Sequence, residues 1–158
     1  MRNSLLKSFA AMAACCVMLT LATPSSAQWR DRYRSGYGFY SRASVGQLIR
    51  RAEMSSNRFV WVFDRALDNS RLDQTMREER LNERARELEQ QLNVVRQEFD
   101  RGGIVSVRSQ VATALELSRR INTVMRNRQL DYAAERQWSI LRSNLNGLAR
   151  VYKLQQLG

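Results

Sequence analysis

Apolar residues recur from Ser44 onward at alternating steps of four and three residues. Such steps keep one narrow stripe of a helix facing a partner, as in a left-handed helical bundle. The pattern repeats in four segments and therefore predicts an all-α protein of four amphipathic helices. The stripes are Val45, Ile49, Ala52, Ser56, Phe59, Phe63 and Ala66; Leu81, Ala85, Leu88, Leu92, Val95 and Phe99; Val107, Val111, Ala114, Ser118, Ile121 and Met125; and Ala134, Trp138, Leu141, Leu145, Leu148 and Tyr152.

The residues between these segments are those that begin and end helices. Because the three breaks are short, consecutive helices should be antiparallel neighbours. We therefore predict an up-down-up-down antiparallel four-helix bundle over residues 44–158. The expected boundaries are capping boxes at Ser44 with Gln47 and at Thr75 with Glu78, a stop at Gly102-Gly103, and caps at Ser106 and Asp131.

Two of the stripe positions are polar, Ser56 and Ser118. We expect each hydroxyl to bond the carbonyl four residues back in its own helix. The alternative is a small polar notch in the core that holds water or a small ligand.

Residues 1–27 have the regions of a secretory signal peptide. Arg2 and Lys7 are positively charged, an apolar run follows, and Ser25-Ser26-Ala27 offers small residues at the cleavage site. We expect cleavage near Ala27 and a periplasmic or secreted protein. The alternative is a lipoprotein anchored at Cys15, which follows a loose lipobox. No other run is apolar enough for a transmembrane helix.

Residues 28–43 alternate arginine, aromatic residues, glycine and serine without a helical or strand period, which indicates a flexible N-terminal tail.

Composition excludes most site chemistries. The chain has no histidine, and both cysteines, Cys15 and Cys16, leave with the signal peptide. The stripes contain no carboxylate, so neither a di-metal site nor a haem ligand is expected. The alternating charges of the second helix suggest surface ion pairs such as Arg80–Glu83 and Arg84–Glu87. We expect no metal, no cofactor and no enzymatic activity.

The positive charge is unevenly distributed. The full chain carries a net charge of +11, and loss of residues 1–27 leaves 24 Lys+Arg against 15 Asp+Glu, or +9. The excess concentrates in the tail and in residues 104–130. The candidate anion-binding residues are the tail arginines Arg30, Arg32 and Arg34, and an "α3 cluster" of Arg119, Arg120, Arg126 and Arg128. In an exported protein, anionic lipid, lipopolysaccharide or acidic polysaccharide are the expected partners, and nucleic acid is not.

The run around Trp61 is apolar on all sides of the first helix. Trp61 lies opposite the stripe, and Val60 and Val62 flank it. This patch predicts a contact with a protein partner or a second copy, unless the tail covers it or it is simply exposed.

The segments DRALDNSRLD (64–73) and NLNGLARVYKL (144–154) resemble parts of small exported, arginine-rich helical bacterial proteins of unknown function. That resemblance implies a helical fold and no particular activity. The charge and compartment are also similar to those of helical periplasmic chaperones, whose LTxxQ motifs are absent here. We expect a non-enzymatic binding or structural protein of the periplasm, with a chaperone-like holdase as the alternative.

Overall fold

The computed structural model describes residues 40–70, 72–127 and 130–158. The expected signal peptide, the tail as far as residue 39, the three tail arginines and Arg128 lie outside the described residues.

The described chain contains four helices. They are α1 (Arg42–Asp68), α2 (Met76–Gly102), α3 (Arg108–Asn127) and α4 (Tyr132–Val151), with no strand between residues 40 and 158 wherever the structure describes the chain. Helix α1 packs against α2 and α4, and α3 packs against the same two helices, so the four form a ring of neighbours. The up-down-up-down bundle is confirmed. None of these four helices is long and apolar enough to cross a membrane.

Every residue of the predicted stripes is buried in the core. Phe59 stacks on Phe63 with ring centroids 4.9 Å apart, and it also contacts the tilted ring of Trp138 at 5.3 Å. An aromatic cluster thus joins α1 and α4. The core also contains apolar residues that lie outside the stripes: Leu67, Leu72, Leu115, Ala149, Val151 and Leu157.

Three of the predicted helix boundaries are confirmed. The Thr75 side chain accepts from the Glu78 amide, and the Asp131 side chain accepts from the Ala133 amide. Gly103 ends α2 with a φ of 77°, a left-handed conformation that glycine adopts without steric cost.

Two predicted caps are wrong. Helix α1 is capped by Ser41, whose side chain accepts from the Ser44 amide, so it begins at Arg42 rather than at Ser44. Two serines lie one turn apart here, and the upstream one takes the capping position. The hydroxyl of Ser106 donates to the carbonyls of Glu98 and Gly103, and so it fastens the α2–α3 connection instead of capping α3.

The buried serines and Asn122 have their hydrogen-bond partners within the bundle. Ser118 donates to the Ala114 carbonyl at 2.6 Å, as predicted, whereas Ser56 bonds three residues back, to Glu53, at 2.9 Å. Asn122 accepts from the indole Nε1 of Trp138 at 3.1 Å and donates to the Gly158 carbonyl at 2.8 Å. Asn122 therefore joins α3, α4 and the C-terminal residue.

Candidate functional site

The outward side of α1 is a cationic surface that also carries two large apolar side chains. All six of its residues are exposed, and at 3.6 residues per turn they fall within an arc of about 100°. We call this surface the α1 face; it consists of Arg50, Arg51, Met54, Arg58, Trp61 and Arg65.

The four arginines of the α1 face have no carboxylate partner within 4.0 Å among the described residues. Two of the three acidic residues of α1 are paired with arginines of α2 instead. Arg96 Nη1 donates to both carboxylate oxygens of Glu53, at 3.1 and 2.9 Å, and Asp64 lies 3.8 Å from Arg86. The third, Asp68, is exposed at the C-terminal end of α1.

Trp61 is 65% exposed and Met54 is 70% exposed, and they lie two turns apart on this face. The Arg65 guanidinium lies 5.9 Å from the centroid of the Trp61 ring, at cation–π distance. Exposure of Trp61 agrees with its predicted position opposite the stripe. Val60 and Val62 are half-buried and pack against the core, so the exposed apolar surface is narrower than the three-residue patch predicted from the sequence.

The α3 cluster is less available than the sequence suggested. Arg119 is half-buried; its Nη1 donates to Glu116 at 2.6 Å, and its Nη2 approaches the Gln155 carbonyl and side chain at 3.4 Å. Arg120 and Arg126 are exposed. None of the exposed large apolar side chains of the described chain belongs to α3. Of the three residues of the α3 cluster that the structure describes, two are therefore exposed.

The ion pairs predicted within α2 do not form in the described chain. Arg80 donates from Nε to the Met76 carbonyl. The ion pairs of α2 join Arg86 and Arg96 to α1, and within α2 they join Arg96 to Asp100 and Arg101 to Glu98. Two arginines of α2 thus contribute to its contact with α1, which the i,i+3 pattern did not indicate.

A groove of about 320 Å³ lies between the start of α1 and the end of α2, with Arg50 of the α1 face at its edge. Its other charged groups are partly satisfied: Arg42 donates to the Asp100 carbonyl at 3.2 Å and covers the Phe99 ring at 5.7 Å. Arg96 contacts Glu53 and Asp100. The groove is therefore of mixed charge, and an anion would meet the Asp100 carboxylate there as well as arginine.

The fold brings together one carboxylate cluster that the sequence did not indicate. Asp68 at the end of α1, Asp73 in the loop and Glu78 in the first turn of α2 bring carboxylate oxygens within 4.8 Å of one another. Oxygen sets of this kind are what hard cations bind, but these groups are surface-exposed or half-buried, and Glu78 hydrogen-bonds with Asp68. The conformation of the loop that brings these three carboxylates together cannot be inferred from their spacing along the chain.

The pKa of Glu78 is raised above its ordinary value. Desolvation is the largest cause; a hydrogen bond with Asp68 and the charges of Asp68 and Asp73 add to it, while the Gln74 backbone opposes it. A raised carboxyl pKa stabilises the fold below the unfolded pKa, and this contribution is lost as pH rises through the folded pKa. We expect Glu78→Gln to raise the Tm slightly at pH 7, with the gain vanishing toward pH 4, as measured by thermal unfolding across pH.

Glu79→Gln is the matched control, because Glu79 lies in the same first turn but outside the cluster. Removing that carboxylate loses a favourable charge at a helix N-terminus, so its Tm at pH 7 should fall slightly. Equal Tm shifts of the same sign for both variants at every pH would show that like-charge repulsion at Glu78 does not affect stability.

Comparison of the chain with protein-family models, curated proteins and solved structures finds no match.

Proposed function

We propose that this chain is a non-enzymatic binding protein of the bacterial periplasm, whose cationic surface engages an anionic component of the cell envelope. The observation that carries the proposal is the α1 face, where four exposed arginines have no described carboxylate within 4.0 Å. Unpaired arginines keep their full capacity for bidentate contacts with phosphate or carboxylate. Export is inferred from residues 1–27, and it makes envelope anions the expected partners.

Two observations support a non-enzymatic role. The chain has no histidine, and Cys15 and Cys16 fall within the expected signal peptide. The buried polar side chains of the described residues are three serines and Asn122, whose hydroxyl and amide groups bond within the bundle. The described core thus contains no carboxylate, arginine or lysine for proton transfer.

The protein purified after export should bind at least one of three probes: lipopolysaccharide, vesicles rich in phosphatidylglycerol, or an acidic polysaccharide such as alginate. Binding should weaken steeply between 0.05 and 0.5 M salt, because exposed charges are screened beyond about 10 Å at 0.1 M. Surface plasmon resonance on the three immobilised probes, with phosphatidylcholine vesicles as the neutral control, measures this. Absence of binding to all three, or binding that does not respond to salt, would contradict the proposal.

A holdase function is the second candidate, and exposed Trp61 and Met54 are the observation that favours it. It is the weaker candidate, because Val60 and Val62 pack inward and arginines separate the two exposed apolar side chains. Light scattering of an aggregating client distinguishes the two: suppression at stoichiometric amounts, with none of the three anionic probes bound, would favour the holdase.

A further inference from the structure

We propose that the α1 face is the surface by which the protein lies on an anionic phospholipid bilayer, with its arginines at the phosphates and Trp61 and Met54 in the headgroup region. This inference rests on the proposed function and names the partner of that same cationic surface.

The charge of the α1 face suits an anionic surface. Helix α1 contains three acidic residues: Glu53 and Asp64 pair with arginines of α2, and Asp68 lies at its C-terminal end, beyond Arg65. The α1 face consequently presents charge of a single sign from Arg50 to Arg65, a length of about 22 Å at 1.5 Å per residue. A row of four cations of this length matches a flat array of phosphates, and each arginine near an anionic leaflet contributes to binding.

A tryptophan, Trp61, lies in the same row as the four arginines. Aromatic rings with a polar edge favour the level of lipid headgroups, where tryptophan is enriched. A soluble polyanion would use the arginines but would leave Trp61 and Met54 in water. Trp61 is 65% exposed and lies two turns from Met54, so both side chains are exposed on the same face of α1 as the arginines.

The contact between α1 and the bilayer must be peripheral. The apolar stripe of α1 is fully used by the core, from Val45 to Ala66. Helix α1 therefore cannot turn that side toward lipid without unfolding the bundle, and only the opposite side is available. The α3 cluster has the same number of arginines in the sequence, but Arg119 is engaged by Glu116 and α3 itself carries no exposed large apolar residue.

The experiment compares two variants of equal net charge for binding to vesicles of phosphatidylglycerol and phosphatidylcholine. One replaces the four arginines of the α1 face by glutamine, and the other replaces the four arginines of the α3 cluster by glutamine. We expect the α1 variant to lose affinity on the order of 100-fold or more, since each arginine near an anionic membrane contributes roughly a 5-fold factor. The α3 variant should lose much less. Equal losses in both variants would overturn the proposal, because they would reflect net charge alone.

A third variant keeps the result interpretable. Lysine at the four arginine positions of the α1 face retains the charge and should retain most of the affinity, whereas the glutamine variant should not. Far-UV circular dichroism and thermal unfolding of all variants check the fold, which exposed arginines should not affect. Loss of binding in the lysine variant with an intact fold would contradict a phosphate surface recognised mainly by charge.

Tryptophan quenching tests the bilayer itself. In a Trp29→Phe background the remaining tryptophans are Trp61 and Trp138, and Trp138 is 4% exposed in the core. Vesicles containing brominated lipid should quench Trp61 fluorescence, and the additional change Trp61→Phe should remove that quenching.

The outcomes separate this inference from the proposed function. Binding to alginate or lipopolysaccharide without binding to phosphatidylglycerol vesicles would overturn the bilayer proposal and leave the proposed function standing. Vesicle binding without quenching of Trp61 would overturn the placement of the α1 face. Failure to bind any of these anions would overturn both.

Discussion

Leu141→Ala is expected to lower the free energy of unfolding by about 2–5 kcal/mol, as large-to-small changes in a packed core do. Leu141 is fully buried in the α4 stripe, where its side chain faces the other helices. Alanine removes the buried apolar surface and leaves a cavity that the rigid ring of helices fills only in part. Chemical denaturation monitored by circular dichroism measures the change.

Ile140→Ala is the matched control, one residue away on the same helix. Ile140 is 43% exposed, so the same loss of carbon atoms removes little buried surface. Alanine also has the higher helix propensity, which offsets part of that loss. We expect a change within about 1 kcal/mol. If Leu141→Ala and Ile140→Ala cost the same, the stripe does not form the core of the folded protein.

Asn122→Ala is expected to cost about 2–4 kcal/mol, because it breaks one buried and one partly buried hydrogen bond at once. The change leaves the indole N–H of Trp138 without its 3.1 Å acceptor and releases the Gly158 carbonyl from its 2.8 Å donor. An unsatisfied buried donor carries most of the cost, since it has lost its bond to water without a replacement. Urea denaturation of the variant measures it.

A double-mutant cycle with Trp138→Phe separates the hydrogen bond from general packing. Phenylalanine has no N–H group, so the Asn122→Ala change should cost less in the Trp138→Phe background than in the wild type, with a coupling of about 0.5–3 kcal/mol. Strictly additive costs would mean that the indole–amide bond does not contribute to stability. Deleting Gly158 alone measures how much its hydrogen bond with Asn122 contributes to the free energy of unfolding.

The core was predictable because helical periodicity is a local property. Each stripe depends on residues three and four apart on one helix, and that spacing fixes which side chains share a face whatever the partner. All stripe residues are buried accordingly, and the Thr75, Gly103 and Asp131 boundaries follow from equally local chemistry. The sequence predicted the cap of α1 at Ser44, whereas Ser41, one turn upstream, holds that position.

The candidate site was only partly predictable. The sequence indicated a positive surface and placed Trp61 opposite the stripe, and the anion site that it predicted in α3 and the tail stays a prediction. Arginine counts along a chain do not show which charges are already neutralised. Arg119 belongs to the predicted site, yet it is engaged by Glu116 and Gln155.

What the sequence alone determined is therefore the four helices, their buried stripes and the order in which they pack. The tertiary structure decided which arginines keep a free charge. Glu53 and Arg96 are 43 residues apart, and they meet only because α1 and α2 pack side by side. That contact and the one between Asp64 and Arg86 direct two acids of α1 toward α2, and four of its arginines stay exposed without a carboxylate partner within 4.0 Å. Pairing of charges across helices depends on distances in space, which no spacing along the chain encodes.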